Sequence, residues 1–127
     1  MAGRNRYAKA ADFRAALRRF LRTSEQAARA AGITPSQHLL LLQIAGCEDG
    51  ATTVSSLVVR LALTQSAVTE LVQRAEQAGL VERTPSADDG RVMYLSLTPA
   101  GEAKLAAVHE TLGPERSQLR RVVDALE

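Results

Sequence analysis

Apolar residues recur at helical spacing from Asp12 onward, at Phe13, Leu17, Phe20, Leu21 and Ala28, as far as Ala31, and Gly32 supplies the stop. Residues 1–9 are polar and basic and are expected to be frayed. Thr34-Pro35-Ser36-Gln37 then sets an N-cap threonine before a proline at the first helical position, with a glutamine three residues after the cap, which is a capping box. The helix it opens contains His38-Leu39-Leu40-Leu41-Leu42-Gln43-Ile44, nearly all apolar and therefore expected to be buried. It ends near Gly46, and Cys47-Glu48-Asp49-Gly50 is a loop.

Thr53 caps a short helix from Val54 to about Arg60, and Thr64 caps a second that ends before Gly79. In the second, Val68, Leu71, Val72 and Ala75 form the inward stripe, leaving Gln65, Ser66, Thr69, Glu70, Gln73 and Arg74 on or near the surface. Two short helices joined this tightly are helix-turn-helix patterning, with one anomaly: Ala62 stands in the turn, where a glycine often serves. Val81 to Thr84 and Arg91 to Leu97 read as the strands of a hairpin whose tip, Pro85-Ser86-Ala87-Asp88-Asp89-Gly90, is dense in turn formers. Thr98-Pro99 opens a helix running towards Leu112; Gly113-Pro114 breaks it before a last helix with Leu119, Val122, Val123 and Leu126 on one face.

The expected fold is thus mainly α with a small β-hairpin wing, a winged helix-turn-helix flanked by N- and C-terminal helices. In such an arrangement the second helix of the pair can enter a DNA major groove while the hairpin tip reaches the adjacent groove or backbone. The short or amide side chains of Gln65, Ser66 and Thr69 suit base-edge hydrogen bonds, Arg74 suits a phosphate, and Glu70 suits a cytosine amino group. Arg91 at the tip suits a narrow minor groove, with Asp88 or Asp89 placed to hold its guanidinium. Asp-Asp-Gly-Arg alone is ordinary turn chemistry; its position after a helix-turn-helix gives it this second meaning.

Composition sets limits on these readings. At 127 residues, with four aromatics and no Trp, the chain is expected to form one domain. Amphipathic first and last helices call for a partner. Net charge is +2, unevenly spread: residues 1–35 hold eight basic and two acidic groups, a net +6, and the remainder a net −4. Residues 54–100 carry four basic groups and five acidic, so a DNA-binding lobe would be near neutral and attraction would rely on the N-terminal arginines. No apolar run approaches the ~20 residues of a membrane span, and no targeting segment is visible, so a cytoplasmic, membrane-free location is expected. One cysteine and two histidines give no disulfide and no zinc spacing, so no metal and no cofactor are expected. No nucleophile, base and orienter set or phosphate-cradling loop is present, so no enzyme is expected.

The run Leu57…Leu61-Ala62-Leu63-Thr64-Gln65-Ser66-Ala67-Val68-Thr69…Leu71-Val72…Gly79-Leu80-Val81-Glu82-Arg83, followed by Asp88-Asp89-Gly90-Arg91 and Leu95-Ser96-Leu97-Thr98-Pro99-Ala100-Gly101, resembles the multiple-antibiotic-resistance-regulator (MarR) family. The resemblance implies a homodimeric winged-helix repressor of a pseudo-palindromic operator on double-stranded DNA. Residues 1–33 and 99–127 would be the dimerisation helices and 51–98 the DNA-binding lobe. It implies DNA contacts at Gln65, Ser66, Thr69 and Arg91, with Asp88 orienting the arginine. It also implies a small aromatic or phenolic effector in a crevice between the dimer helices and the lobe, which His38 could line. His109 is expected to face solvent. Cys47 reads as a packing cysteine rather than an oxidant sensor, since the first helix, where the family's hydroperoxide sensors carry theirs, has none. The competing reading is a winged-helix dimer serving as a protein-interaction module without specific DNA binding.

Overall fold

The computed structural model describes residues 2–47 and 50–126. Six helices and one hairpin follow in the expected order: α1 (Ala2–Ala30), α2 (Pro35–Ala45), α3 (Val54–Leu61), α4 (Gln65–Gln77), β1 (Val81–Pro85), β2 (Met93–Leu97), α5 (Pro99–Thr111) and α6 (Gly113–Asp124).

The first helix departs from expectation at its start, because it is helical from Ala2 rather than frayed to residue 9. Arg6 to Asp12 are exposed there, so packing within this chain does not hold the turn. Local preference accounts for it: the segment is rich in Ala, Arg and Lys, strong helix formers, with no proline or β-branched residue. At the other end the stop is as read. Gly32 is left-handed at φ 84°, and Ile33 N donates to Ala28 O while buried Ile33 closes over the last turn.

The capping box at Thr34 is complete, Thr34 N donating to Gln37 Oε1 and Gln37 N to Thr34 Oγ1, each at 3.0 Å. The helix behind it is less buried than its composition suggests. Leu40, Leu41 and Ile44 enter the core, whereas Leu39 and Leu42 are 47% and 38% exposed, since a helix of this radius touches one core on one side only. The core they enter joins Leu57 of α3, Val68, Val72 and Ala75 of α4, Val81 and Leu95 of the hairpin, and Val108 of α5.

Between α3 and α4 the turn is made at Ala62, in the left-handed region at φ 55°. It is the only non-glycine with positive φ among the described residues. The hairpin pairs Val81 with Leu97, Arg83 with Leu95 and Pro85 with Met93, antiparallel. Thr52, just before α3, adds an isolated bridge through Leu95 N to Thr52 O at 2.8 Å, a tie that no sequence pattern announced. Leu112 separates α5 from α6, and Gly113-Pro114 opens the last helix, where proline at the start costs no hydrogen bond. No residue of α6 is buried, although it lies along α1.

Among the described glycines, the closest backbone approach is at Gly101, between the first turn of α5 and the segment joining α4 to β1. A Cβ placed on Gly101 would stand 2.1 Å from the Leu80 carbonyl oxygen. Thr98 secures the crossing: its N donates to Leu80 O, its Oγ1 donates to Gly79 O at 2.5 Å, and the same oxygen accepts from Gly101 N.

His38 is buried in α2, with its Nδ1 3.5 Å from Ser24 Oγ of α1. Burial, and then the nearby charge of His109, lowers its pKa below 6.5.

Three outcomes follow from these contacts. Gly101→Ala should lower stability by about 1–3 kcal/mol or more, because the obstruction is backbone and cannot rotate away, read as a fall in Tm. Ala62→Gly should raise stability by about 0.5–1 kcal/mol, since glycine carries no penalty in the left-handed region. Finally, the unfolded chain takes up the His38 proton near pH 6.5 and the folded chain only at lower pH, so stability should fall as pH drops through 6.5. Denaturant titrations between about pH 7.5 and 5.5 should show a shallower loss in His38→Gln than in the parent chain.

Candidate nucleic-acid interface

Helix α4 is capped by Thr64, whose Oγ1 accepts from Ala67 N at 3.2 Å, so the first turn is held by the cap side chain. Val68, Val72 and Ala75 are fully buried and Leu71 half-buried, which aims the opposite face outward. Gln65 and Ser66 are exposed and Thr69 half-buried, so the three residues with base-edge chemistry lie at the N-terminal end of an outward helix face.

Arg74 and Glu70, assigned separate tasks from sequence, meet each other: Arg74 Nη2 lies 2.6 Å from Glu70 Oε1, one turn apart. Both are largely exposed, at 70% and 62%. Such a pair contributes roughly 0–1 kcal/mol and exchanges readily for another partner.

The hairpin tip is more ordered than its composition suggests, and Ser86 is the reason. Ser86 is buried, its Oγ accepts from Asp88 N at 3.2 Å and Asp89 N at 3.3 Å, and its backbone N donates to Val92 O at 2.8 Å. The aspartate that meets Arg91 is Asp89, not Asp88. Asp89 Oδ1 accepts from Arg91 N at 3.0 Å and Arg91 Nε at 3.4 Å, an Asx turn in which the carboxylate caps the residue two further on. Asp88 lies one position too early for that bond and is engaged through its backbone N–H instead. The Arg91 side chain stays 93% exposed, projecting beyond the tip.

Two further contacts fix the lobe and were not legible as sites. Arg83 Nε of β1 lies 2.8 Å from Glu76 Oε1 of α4, half-buried, and ties the wing to that helix. Arg60 Nε donates to Gln43 Oε1 at 3.0 Å, tying α3 to α2. Their sequence separations of 7 and 17 residues carry no local pattern.

Of the two histidines, His109 is exposed as expected, and His38 departs from expectation. His38 is packed against Ser24 and is not among the residues lining the cavity between α2, β2 and α5; exposed His109 is. Cys47 is half-buried just beyond α2, with its backbone N donating to Ile44 O. Among the described residues no group of three or more His, Cys, Asp or Glu could hold a metal, and no helix is long and apolar enough to cross a membrane.

Comparison with known proteins places this architecture. Residues 31–92 match the family model described as MarR family. The chain is 38% identical over 77 residues to the HTH-type transcriptional repressor MdtR of Bacillus subtilis, covering 61% of this chain and 48% of that protein. It therefore spans about half the length of this curated relative. Among solved structures, YusO of Bacillus subtilis is 26% identical with a TM-score of 0.66, over 100% of this chain and 86% of that one. A variant of MarR from E. coli complexed with operator DNA is 24% identical with a TM-score of 0.70, over 84% and 75%. A MepR variant of S. aureus bound to an oligodeoxyribonucleotide is 21% identical with a TM-score of 0.72, over 93% and 83%. With a capped outward helix, a hairpin wing and flanking helices in a common arrangement, the chain is similar to the winged-helix proteins of the MarR family, whose model its residues 31–92 match.

Proposed function

We propose that the chain is a DNA-binding transcriptional regulator, a homodimeric repressor of a pseudo-palindromic operator released by a small molecule. The observation that carries this reading is one lobe bearing both a capped helix with Gln65, Ser66 and Thr69 at its outward N-terminal end and a braced tip projecting Arg91. Gln65, Ser66 and Thr69 would read base edges in the major groove, and Arg91 would enter the adjacent minor groove, oriented by Asp89. Arg74 would leave Glu70 for a phosphate. Asp88 acts in this reading through the turn alone. The repressor MdtR and the DNA complexes of MarR and MepR support the assignment as relatives.

A twofold dimer is supported by apolar surface that this chain does not cover. Leu21 of α1 is 48% exposed and Val123 of α6 is 42% exposed, and no α6 residue is buried. Phe13, Leu17, Phe20, Leu119 and Val122 beside them are half-buried, so a second copy would complete the packing. Two lobes so joined would address half-sites about one helical turn apart, ~34–36 Å.

One observation favours a second reading, a protein-interaction module. Each arginine between residues 54 and 100 already has a partner: Arg60 with Gln43, Arg74 with Glu70, Arg83 with Glu76, Arg91 with Asp89. Salt dependence separates the two readings. An operator binder loses affinity along a straight line in log salt, with a slope near 0.9 per phosphate engaged. The module shows no saturable binding to DNA.

Titrating the protein into a fluorescent fragment of its own upstream intergenic DNA, with unrelated DNA as competitor, should give saturable binding of two protomers per site. Arg91→Ala should weaken it by about tenfold or more, equivalent to roughly 1–3 kcal/mol, with unchanged circular dichroism. Unchanged affinity in Arg91→Ala would remove the wing from the mechanism.

A further inference from the structure

The arginines of the winged lobe have partners within this chain, whereas a row of arginines on α1 has none. Arg14, Arg18 and Arg22 follow at four-residue intervals and Arg29 comes two turns later, all four exposed. At 3.6 residues per turn they share one outward ridge, opposite buried Ala16, Ser24 and Ala27. The first three stand about 6 Å apart along the helix axis. None of the four forms an ion pair or a side-chain hydrogen bond among the described residues. Arg14, Arg18 and Arg22 line a groove along α1 with Leu17, Leu21 and a single carboxylate, Glu25. Helix α1 packs chiefly against α6, α2 and α5 rather than α3, α4 or the hairpin, so this ridge is a surface separate from the one assigned to an operator.

We propose that the α1 ridge binds the phosphate backbone of double-stranded DNA without regard to sequence, at a site distinct from the recognition helix and wing. A duplex carries one negative charge per ~1.7 Å of its axis, and arginine forks pair with phosphate oxygens bidentately. A second copy of the chain does not supply that counter-charge: residues 99–124 hold four acidic and four basic groups, and the lobe is near neutral. A lipid surface does not fit either, because a helix lying on a membrane buries its apolar face there, and α1 packs that face against α2, α5 and α6. A protein partner calls for an apolar centre, and the ridge offers only Leu21 at its margin. Protein–DNA interfaces are the polar, strongly positive kind that such a ridge suits.

Separate surfaces have a consequence for assembly. With an operator at the lobes, the ridges would hold a second segment of duplex of any sequence, so that one molecule bridges two stretches of DNA. This bridging rests on the operator-binding reading above; the backbone binding itself does not.

The test uses the full chain with its lobe disabled by Gln65→Ala, Ser66→Ala and Arg91→Ala, so that the ridge is read alone. Binding of a fluorescent random-sequence duplex of about 24 base pairs is followed by anisotropy from about 50 to 300 mM salt. Affinity should persist in this background and fall at least about tenfold on adding Arg14→Gln, Arg18→Gln and Arg22→Gln. The slope of log affinity against log salt should flatten by about 2 to 3 at the same time, near 0.9 per phosphate released. Lysine at the same three positions should restore most of the affinity, and Arg18→Gln alone should lower it about twofold to fourfold. Unchanged affinity and slope without the three arginines would overturn the proposal, as would tighter binding of poly-L-glutamate or of phosphatidylserine vesicles than of the duplex. In the chain with its lobe intact and seated on immobilised upstream DNA, capture of the random duplex should require the same three arginines; its absence beside intact ridge binding would sink the bridging step. Operator binding is read on the lobe, so the two readings fail separately.

Discussion

Where the chain leaves α4 and enters β1, its backbone is pressed against the first turn of α5, and every functional element of the lobe hangs on that crossing. Leu80 N donates to Ala75 O and ends the candidate recognition helix, Leu80 O accepts from Thr98 N, and Gly101 leaves room for the carbonyl. One residue thus joins the outward helix, the wing and the first of the C-terminal helices. Because interiors are close-packed and transmit strain, a shift of α5 is felt at the start of β1, and through β1 at the tip that carries Arg91. The geometry gives the flanking helices a mechanical hold on the surface proposed to meet DNA.

The electrostatics of that surface are self-contained. Three of its four arginines are paired with carboxylates of the same lobe, and these pairs fall into two kinds. Arg83 with Glu76 is half-buried and braces β1 against α4, so exchange would cost packing. Arg74 with Glu70 and Arg91 with Asp89 are exposed at the arginine, and a phosphate can compete for them at little cost. A lobe near neutral overall can therefore present two releasable cations without a standing positive field. Long-range attraction then falls to the net +6 of the N-terminal residues.

Burial in this chain is uneven for the same topological reason. Leu40, Leu41, Val68, Val72 and Leu95 are sealed in one core beneath the hairpin, while α6 buries nothing and α1 leaves Leu21 open. A core built from short helices and two strands is satisfied by the middle of the chain. The two end helices have apolar stripes that exceed what the rest can cover, which is the surplus a second copy would use. His38 of α2 lies behind this boundary against Ser24 of α1, its pKa lowered because burial disfavours its charged form.

The sequence by itself determined the local structure: the caps at Thr34, Thr53, Thr64 and Thr98, the stop at Gly32, the strained turn at Ala62 and the inward stripe of α4. Each depends on side chains within four residues of the backbone they serve. The helical start at Ala2 was also written there, as propensity, although the apolar stripe that begins at Phe13 drew the boundary too late. The tertiary structure alone decided which carboxylate meets which arginine across the lobe, that Thr52 bridges Leu95, and that Gly101 must be glycine. It also decided that His109 rather than His38 lines the cavity. Those facts join residues from 7 to 71 positions apart, as Arg83 with Glu76 and His38 beside His109. Such distances carry no periodicity, because the contacts are set by how helices cross and not by how any one of them forms.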